Sequence, residues 1–359
     1  MKLDRQTQLE TTLAHLVQIP SVPSDQQACR EIIEFVHDKL APHNLYIRSD
    51  FTVKHPWLLA TTKDTNQPDI LLVAHLDVAP AKEYKLKKQD DKFYGRGVWD
   101  MKFAAACYLE LLHAHADQLK KLNIGFLFTT DEELGGASMA KILETTSLRP
   151  KVAFIPDGGD NWSVEKRAKG FYHVELTAHG KAAHGSRPWE GDNALHRLMD
   201  ALQILRTSFP SHQPNDSSLV VAKFHSGEAI NQIADHASAV IDFRSFSEHE
   251  IALCRDQVKL LTEEHRLEAE VLNESQPLLF DEDAPAVQSF LAALREHMGK
   301  EVVYTESYGG TDARYFAKYD IPCIIIEPNG GGRHAPTEWL QAEDLEKYYR
   351  LLERWLLGN

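Results

Sequence analysis

What most limits how this chain can fold is a set of short apolar runs, each of which stops at an acidic residue or a histidine. Asp69-Ile-Leu-Leu-Val-Ala74 ends at His75-Leu-Asp77, and Asn123-Ile-Gly-Phe-Leu-Phe-Thr129 runs into Asp131-Glu-Glu133. Lys151-Val-Ala-Phe-Ile155 leads to Pro156-Asp157, and Pro322-Cys-Ile-Ile-Ile-Glu327 leads through a glycine-rich stretch to His334. Runs of this length read as buried strands. Alternating with helical segments such as Met101 to Leu119, they predict an α/β fold with an open, mostly parallel sheet. Sheets of that kind bind ligands beyond the carboxyl ends of their strands, where these polar residues fall.

The middle of the chain has a different rhythm. Phe171 to Ala178 alternates like a half-exposed strand, and Asn193 to Leu205 is helical. Leu219–Phe224 and Ala237–Phe243 read as strands, Glu248 to Glu264 as a helix, and Leu267 to Leu272 as a last strand. That order, βαββαβ, predicts a ferredoxin-like unit. We place it at residues 171–277, inserted into a catalytic domain made of residues 1–170 and 278–359.

The 359 residues suit about two domains, and 43% hydrophobic content is that of an ordinary globular protein. A net charge of −14 argues against a nucleic-acid groove and an anionic membrane surface. Cys29, Cys107, Cys254 and Cys323 are scattered, with no C-x-x-C pair, so neither a disulfide framework nor a thiolate metal site is expected. The segment Met1 to Thr7 has no apolar signal core, and a cytoplasmic location is expected; the sequons at Asn161, Asn215 and Asn273 are then chance matches. No G-x-S-x-G elbow appears, and Gly95-Arg-Gly97 lacks the third glycine of a dinucleotide fingerprint.

Two imidazoles and three carboxylates, His75, Asp100, Glu133, Asp157 and His334, are the donor set that a pair of zinc ions needs, with one carboxylate shared. Asp77 and Glu132 stand beside them, free for orientation and acid/base work. Each has a plainer reading. His-x-Asp can be a hydrogen-bonded turn, Asp100 a helix N-cap, the Asp131–Glu133 run a solvated loop, and Asp157 a turn former.

In their order along the chain, these motifs resemble those of the co-catalytic zinc peptidases and amidohydrolases, which include glutamate carboxypeptidase, acetylornithine deacetylase, succinyl-diaminopimelate desuccinylase, aminoacylase and the cytosolic dipeptidases. The resemblance rests on His75-Leu-Asp77-Val, Tyr94-Gly-Arg-Gly-Val-Trp-Asp100-Met-Lys, Asp131-Glu-Glu133, Asp157, Ala183-His-Gly-Ser186, Asp242-Phe-Arg244, Gly309-Gly-Thr-Asp-Ala-Arg314 and His334. It implies one zinc held by His75, Asp100 and Asp157 and a second by Asp100, Glu133 and His334, with Co2+ or Mn2+ as substitutes. It implies Glu132 as the general base toward a bridging hydroxide, Asp77 as a supporting residue, and a cis bond between Asp100 and Met101.

The resemblance also implies that the inserted domain is a lid and dimer surface, making the protein a homodimer whose His184 stabilises the oxyanion in the partner's site. Arg244, Asn231, Gly310 and Thr311 would grip a substrate carboxylate; structural pairing of Arg244 and Asn231 with nearby Asp235 or Asp242 is the plainer reading. The implied substrate is a small peptide or an N-acyl amino acid. Asp157, where deacylases tend to have Glu, leans toward a dipeptidase. An acidic residue meeting a free ammonium would favour the peptidase, and Asp160 and Glu165 are candidates by position. A non-catalytic binding relative would have lost the base or ligands, and this chain keeps them.

Overall fold

The computed structural model describes residues 4–358. Met1 to Leu3, the start of the segment without a signal core, and Asn359 lie outside them. The chain divides into two compact units, one of residues up to 166 with 279–307 and 311 onward, the other of residues 167–278 with 308–310. No helix among the described residues is long and apolar enough to cross a membrane.

The first unit is built on a six-stranded mixed sheet. Ile70–His75 lies at its centre, parallel to Ile124–Thr129 on one side and to Val152–Phe154 on the other. Cys323–Ile324 continues the parallel run beyond Val152–Phe154. The other edge, Trp57–Thr61 and Tyr46–Asp50, is antiparallel. The outer strand did not stand out in the sequence, because Tyr46–Asp50 has no fully buried residue and reads as polar.

His75 pairs directly with Thr129, so His75, the Asp131–Glu133 turn and Asp157 leave the sheet on one edge. The helix Lys102–Leu119 packs a small face, Ala104 to Ala106, in the core with Leu111 and Leu112. The amphipathic helix Ala342–Leu357 buries Leu345, Tyr348, Tyr349 and Leu352 in the same core.

A second, smaller sheet in this unit matters for the site. Gly330–Gly331 pairs with Trp339–Gln341, which pairs with Lys92–Tyr94, which pairs with Lys87–Gln89. It ties the loop carrying His334 to the turn leading to Asp100. Two glycines are required here. Gly97 has φ +83°, and a Cβ would lie 2.8 Å from Val78; a Cβ at Gly330 would enter the Trp99 ring.

The second unit is an antiparallel sheet with Gly170–His179 and His236–Ser245 at its centre, flanked by Leu267–Ser275 and Ser218–Ser226. With the helices Ala194–Ser208 and Glu248–His265, its order is βαββαβ. It has its own core, including Val174, Leu176, Leu198, Leu205, Ile241, Phe243 and Val258.

Candidate metal centre

Within the first unit the structure brings His75, Asp77, Asp100, Glu132, Glu133, Asp157 and His334 to the carboxyl edge of the parallel strands. His75 is the last residue of its strand and is buried. Its Nδ1 lies 3.1 Å from the Asp77 carbonyl oxygen, which can only accept. Nδ1 therefore carries the hydrogen, and Nε2 points at Asp100 Oδ1, 3.2 Å away. In a neutral ring Nε2 would offer a lone pair to a carboxylate, an arrangement that calls for a proton or a cation between them.

His334 repeats the geometry from the opposite side. Its Nε2 is 3.0 Å from Asp100 Oδ2 and 3.0 Å from Glu133 Oε2. Asp100 thus presents one oxygen to each imidazole. It does not cap the following helix, whose N-cap is Met101 with no side-chain bond. Asp100 Oδ2 is buried without a hydrogen-bond donor, since the approach of His334 lacks hydrogen-bond alignment. The Asp100–Met101 peptide bond is cis.

Two trios of donor atoms lie within 4.8 Å of one another, His75 with Glu132 and Asp157, and Asp100 with Glu133 and His334. The first differs from the set that resemblance implies, with Glu132 standing where Asp100 was expected. Arg333 stands beside both aspartates. Its guanidinium lies over the Trp99 ring, and Nη1 contacts Asp157 Oδ1 and lies 3.7 Å from Asp100 Oδ1. With Nη2 donating to Glu327 Oε2 at 2.8 Å, it separates the two aspartates as a counter-cation.

The electrostatics follow from crowding acids in a low-dielectric pocket. Burial pushes the Glu132 carboxyl well above its usual range, and Asp157 adds to it. Burial and then Asp100 raise Glu133. Asp100 goes the other way: burial opposes its charge, but His334, His75 and Arg333 outweigh that and hold it low. Both histidines are raised. His334 is raised chiefly by Asp100; in His75 burial is overcome by Asp100 and Asp77. Burial, then Asp157, pushes Glu165 up to about 8, so it is largely protonated at neutral pH and poorly suited to meet an ammonium, whereas Asp160 is exposed.

Supporting residues hold this arrangement. Asp77 Oδ2 accepts from Glu133 N (2.9 Å), and Glu133 Oε1 accepts from Ala79 N (2.9 Å). Glu338 went unrecognised in the sequence because nothing local marks it. Its buried carboxylate accepts from Arg96 Nη1, Gly97 N, Trp99 N and Asp100 N at 2.8–3.1 Å. Arg96 Nη2 also donates to the His334 carbonyl at 2.8 Å. One Arg–Glu pair therefore joins the Asp100 turn to the His334 loop. Buried Lys102, lowered to about 7 by burial, donates to the Leu16 and Ile19 carbonyls.

His184, Asn231, Arg244 and Gly310 belong to the second unit, and Thr311 to the first. His184 is exposed, and its Nδ1 accepts from Ser186 N at 3.2 Å, leaving Nε2–H to donate outward. Asn231 and Gly310 are exposed. Arg244 Nε donates to both oxygens of Asp242 at 3.0 and 3.1 Å, which is the structural pairing anticipated for it. Thr311 Oγ1 accepts from Ala313 N at 3.2 Å.

The model of the Peptidase family M20/M25/M40 matches residues 71–358. A succinyl-diaminopimelate desuccinylase of Delftia acidovorans is 24% identical over 379 aligned residues, covering 95% of each chain. In fold, the chain is similar to the aminopeptidase PepT of Bacillus cereus, with a TM-score of 0.80 at 21% identity over 98% of both chains. It is also similar to a tripeptidase of Staphylococcus aureus, with a TM-score of 0.77 at 21% identity over 99% of this chain and 98% of that one. With the family model covering both the sheet edge and the His334 loop, this chain belongs to the M20/M25/M40 peptidases and is a metal-dependent peptidase or amidohydrolase.

Proposed function

We propose that the protein is a two-zinc hydrolase that cleaves the amide bond of a dipeptide or short peptide with a free carboxylate. The observation that carries this reading is Asp100, whose two oxygens face the Nε2 atoms of His75 and His334, one of them without a hydrogen-bond donor. The donor set fits two divalent cations: His75, Asp157 and one oxygen of Asp100 would hold the first, and Glu133, His334 and the other oxygen the second. When bound, the cations supply Lewis-acid polarisation of the scissile carbonyl and of the attacking water.

Glu132 takes the proton from that water and returns it to the leaving nitrogen, so no net proton is consumed. Its carboxyl lies within 4.8 Å of the donor atoms of His75 and Asp157, within reach of a water held there. Asp77 keeps His75 and the Glu133 backbone aligned. His184, Asn231, Arg244, Gly310 and Thr311 are proposed as oxyanion and carboxylate contacts by resemblance, as are the homodimer and the lid role of the inserted unit, placed at residues 171–277 by its βαββαβ order; a cytoplasmic location is proposed from the scattered cysteines.

The peptidase reading draws on Asp157 and on the fold likeness to an aminopeptidase and a tripeptidase. N-acyl-amino-acid deacylation is the second reading, favoured by the desuccinylase relative. Zinc-loaded protein is assayed on free dipeptides and on the same compounds N-acylated; faster turnover of the free set supports the peptidase, and the reverse makes it a deacylase. Glu132→Gln is expected to keep two metals per chain and to lose turnover by roughly 10²–10⁴-fold. A near-wild-type rate would remove Glu132 from the role of base.

A further inference from the structure

A cavity of about 550 Å³ adjoins the candidate metal centre within the first unit. Its walls are the Pro80–Lys87 segment, the Tyr94–Arg96 turn and His334 to Pro336. The volume is in the range of small-molecule sites. His334 belongs both to this wall and to the Asp100–Glu133–His334 trio. A substrate with its scissile amide at the trio would have its next few atoms at the mouth of the cavity.

The charge of this wall runs against that of the molecule. The chain carries a net −14, yet the cavity is lined by Lys82, Lys85, Lys87 and Arg96 against a single acid, Glu83. Two of the four cations are already engaged. Lys87 pairs with Glu83, and Arg96 with Glu338 and the His334 carbonyl. Lys82 and Lys85 are exposed and stand in no ion pair among the described residues. Pro80, Ala81, Tyr94, Ala335 and Pro336 supply apolar surface between them. The segment is braced, with Ala81 N donating to the Tyr84 hydroxyl at 2.9 Å. An apolar wall ending in unpaired ammonium groups suits a short methylene chain tipped with an anion.

We propose that this cavity is a substrate subsite for a carboxylate carried a few carbons from the scissile amide, read by Lys82 and Lys85. The inference rests on the hydrolase reading and deepens it by naming a substrate class. The carboxylate has two possible sources, an acidic side chain in a peptide or a dicarboxylic N-acyl cap, and the test separates them.

The zinc-loaded full chain is assayed on matched acid and amide pairs, Glu-Ala with Gln-Ala, and N-succinyl-alanine with N-succinamoyl-alanine. In one pair the acid member is expected to have a kcat/KM about five- to ten-fold above its amide, from two exposed cations. That ratio falls toward one in Lys82→Ala/Lys85→Ala and in raised salt. The pair that shows the preference identifies the source. Equal turnover of acid and amide by the wild type, or a ratio that survives the double substitution, overturns the subsite and leaves the hydrolase reading standing. If neither pair is cleaved, that reading fails, and calorimetric titration decides the subsite separately. Succinate binding more tightly than succinamate, with the difference lost in the double variant, supports it; equal binding overturns it.

Discussion

The two imidazoles facing Asp100 reach it by different means. His75 ends a central strand, is 2% exposed, and has its ring locked by the Asp77 carbonyl. His334 rides on a glycine-rich loop with φ +60°, and its side chain is 54% exposed. On the strand side, sheet register sets the donor positions, because the hydrogen-bonded pairing of Ile70–His75 with Ile124–Thr129 fixes where His75 leaves the sheet beside Thr129. On the loop side no register exists. Position comes instead from the small sheet around Trp339 and from the Arg96–Glu338 pair. The strand side should therefore tolerate chemical substitution without losing its shape, and the loop side should lose its shape when a support is removed.

Glu338→Ala puts that difference to its hardest test. It leaves Arg96 and three backbone N–H groups buried without their acceptor, at a cost of about 3–5 kcal/mol. We expect a lower denaturation midpoint and loss of one of two bound metals, the one held by Asp100, Glu133 and His334. Glu338→Gln, which keeps an acceptor oxygen, should recover part of both. Unchanged stability and two metals in the Ala variant would mean that the small sheet alone holds the loop.

Arg333 connects the two sides, touching Asp157 from the loop that carries His334. Arg333→Met strips the fully buried Glu327 of its counter-ion. Burial already raises the Glu327 carboxyl well above its usual range, so it takes up a proton rather than remaining a bare charge. The loss in metal-free protein should be about 2 kcal/mol, smaller than for Glu338. Added zinc should bind more tightly at Asp157 than in the wild type, since a competing cation is gone. Weaker binding would make Arg333 a residue that positions Asp157 rather than a rival to the metal.

The same contrast explains what the sequence disclosed. The parallel strands were legible because burial on both faces leaves an apolar run with no alternation, and the polar residue ending each run falls on the ligand-binding edge. His75, Glu133 and Asp157 could be picked out on that ground. Arg333 and Glu338 could not, since their partners lie across a loop closure; Arg96 and Glu338 are 242 residues apart. The antiparallel edge strand Tyr46–Asp50 was hidden by exposure, having the look of a loop. Asp100 was ambiguous between cap and ligand until the helix was seen to begin beyond it, without a side-chain cap.

The smallest effect separates the two histidines by pH. In metal-free protein both are held above 6.5, His75 well above it. The native state then binds more protons than the unfolded chain between 6.5 and each raised value. The stability from these contacts is full below pH 6.5 and is lost as pH rises through the folded value. For half-exposed His334, solvent screening keeps the contribution under about 1 kcal/mol. In chelator, His334→Asn should melt slightly below wild type at pH 6, and the gap should close as pH rises. The gap for His75→Asn should persist to a higher pH. Zinc removes both slopes, because it takes the imidazoles neutral and releases their protons. A gap that stays constant with pH would mean that both rings are neutral in the metal-free fold and form no charge pair with Asp100.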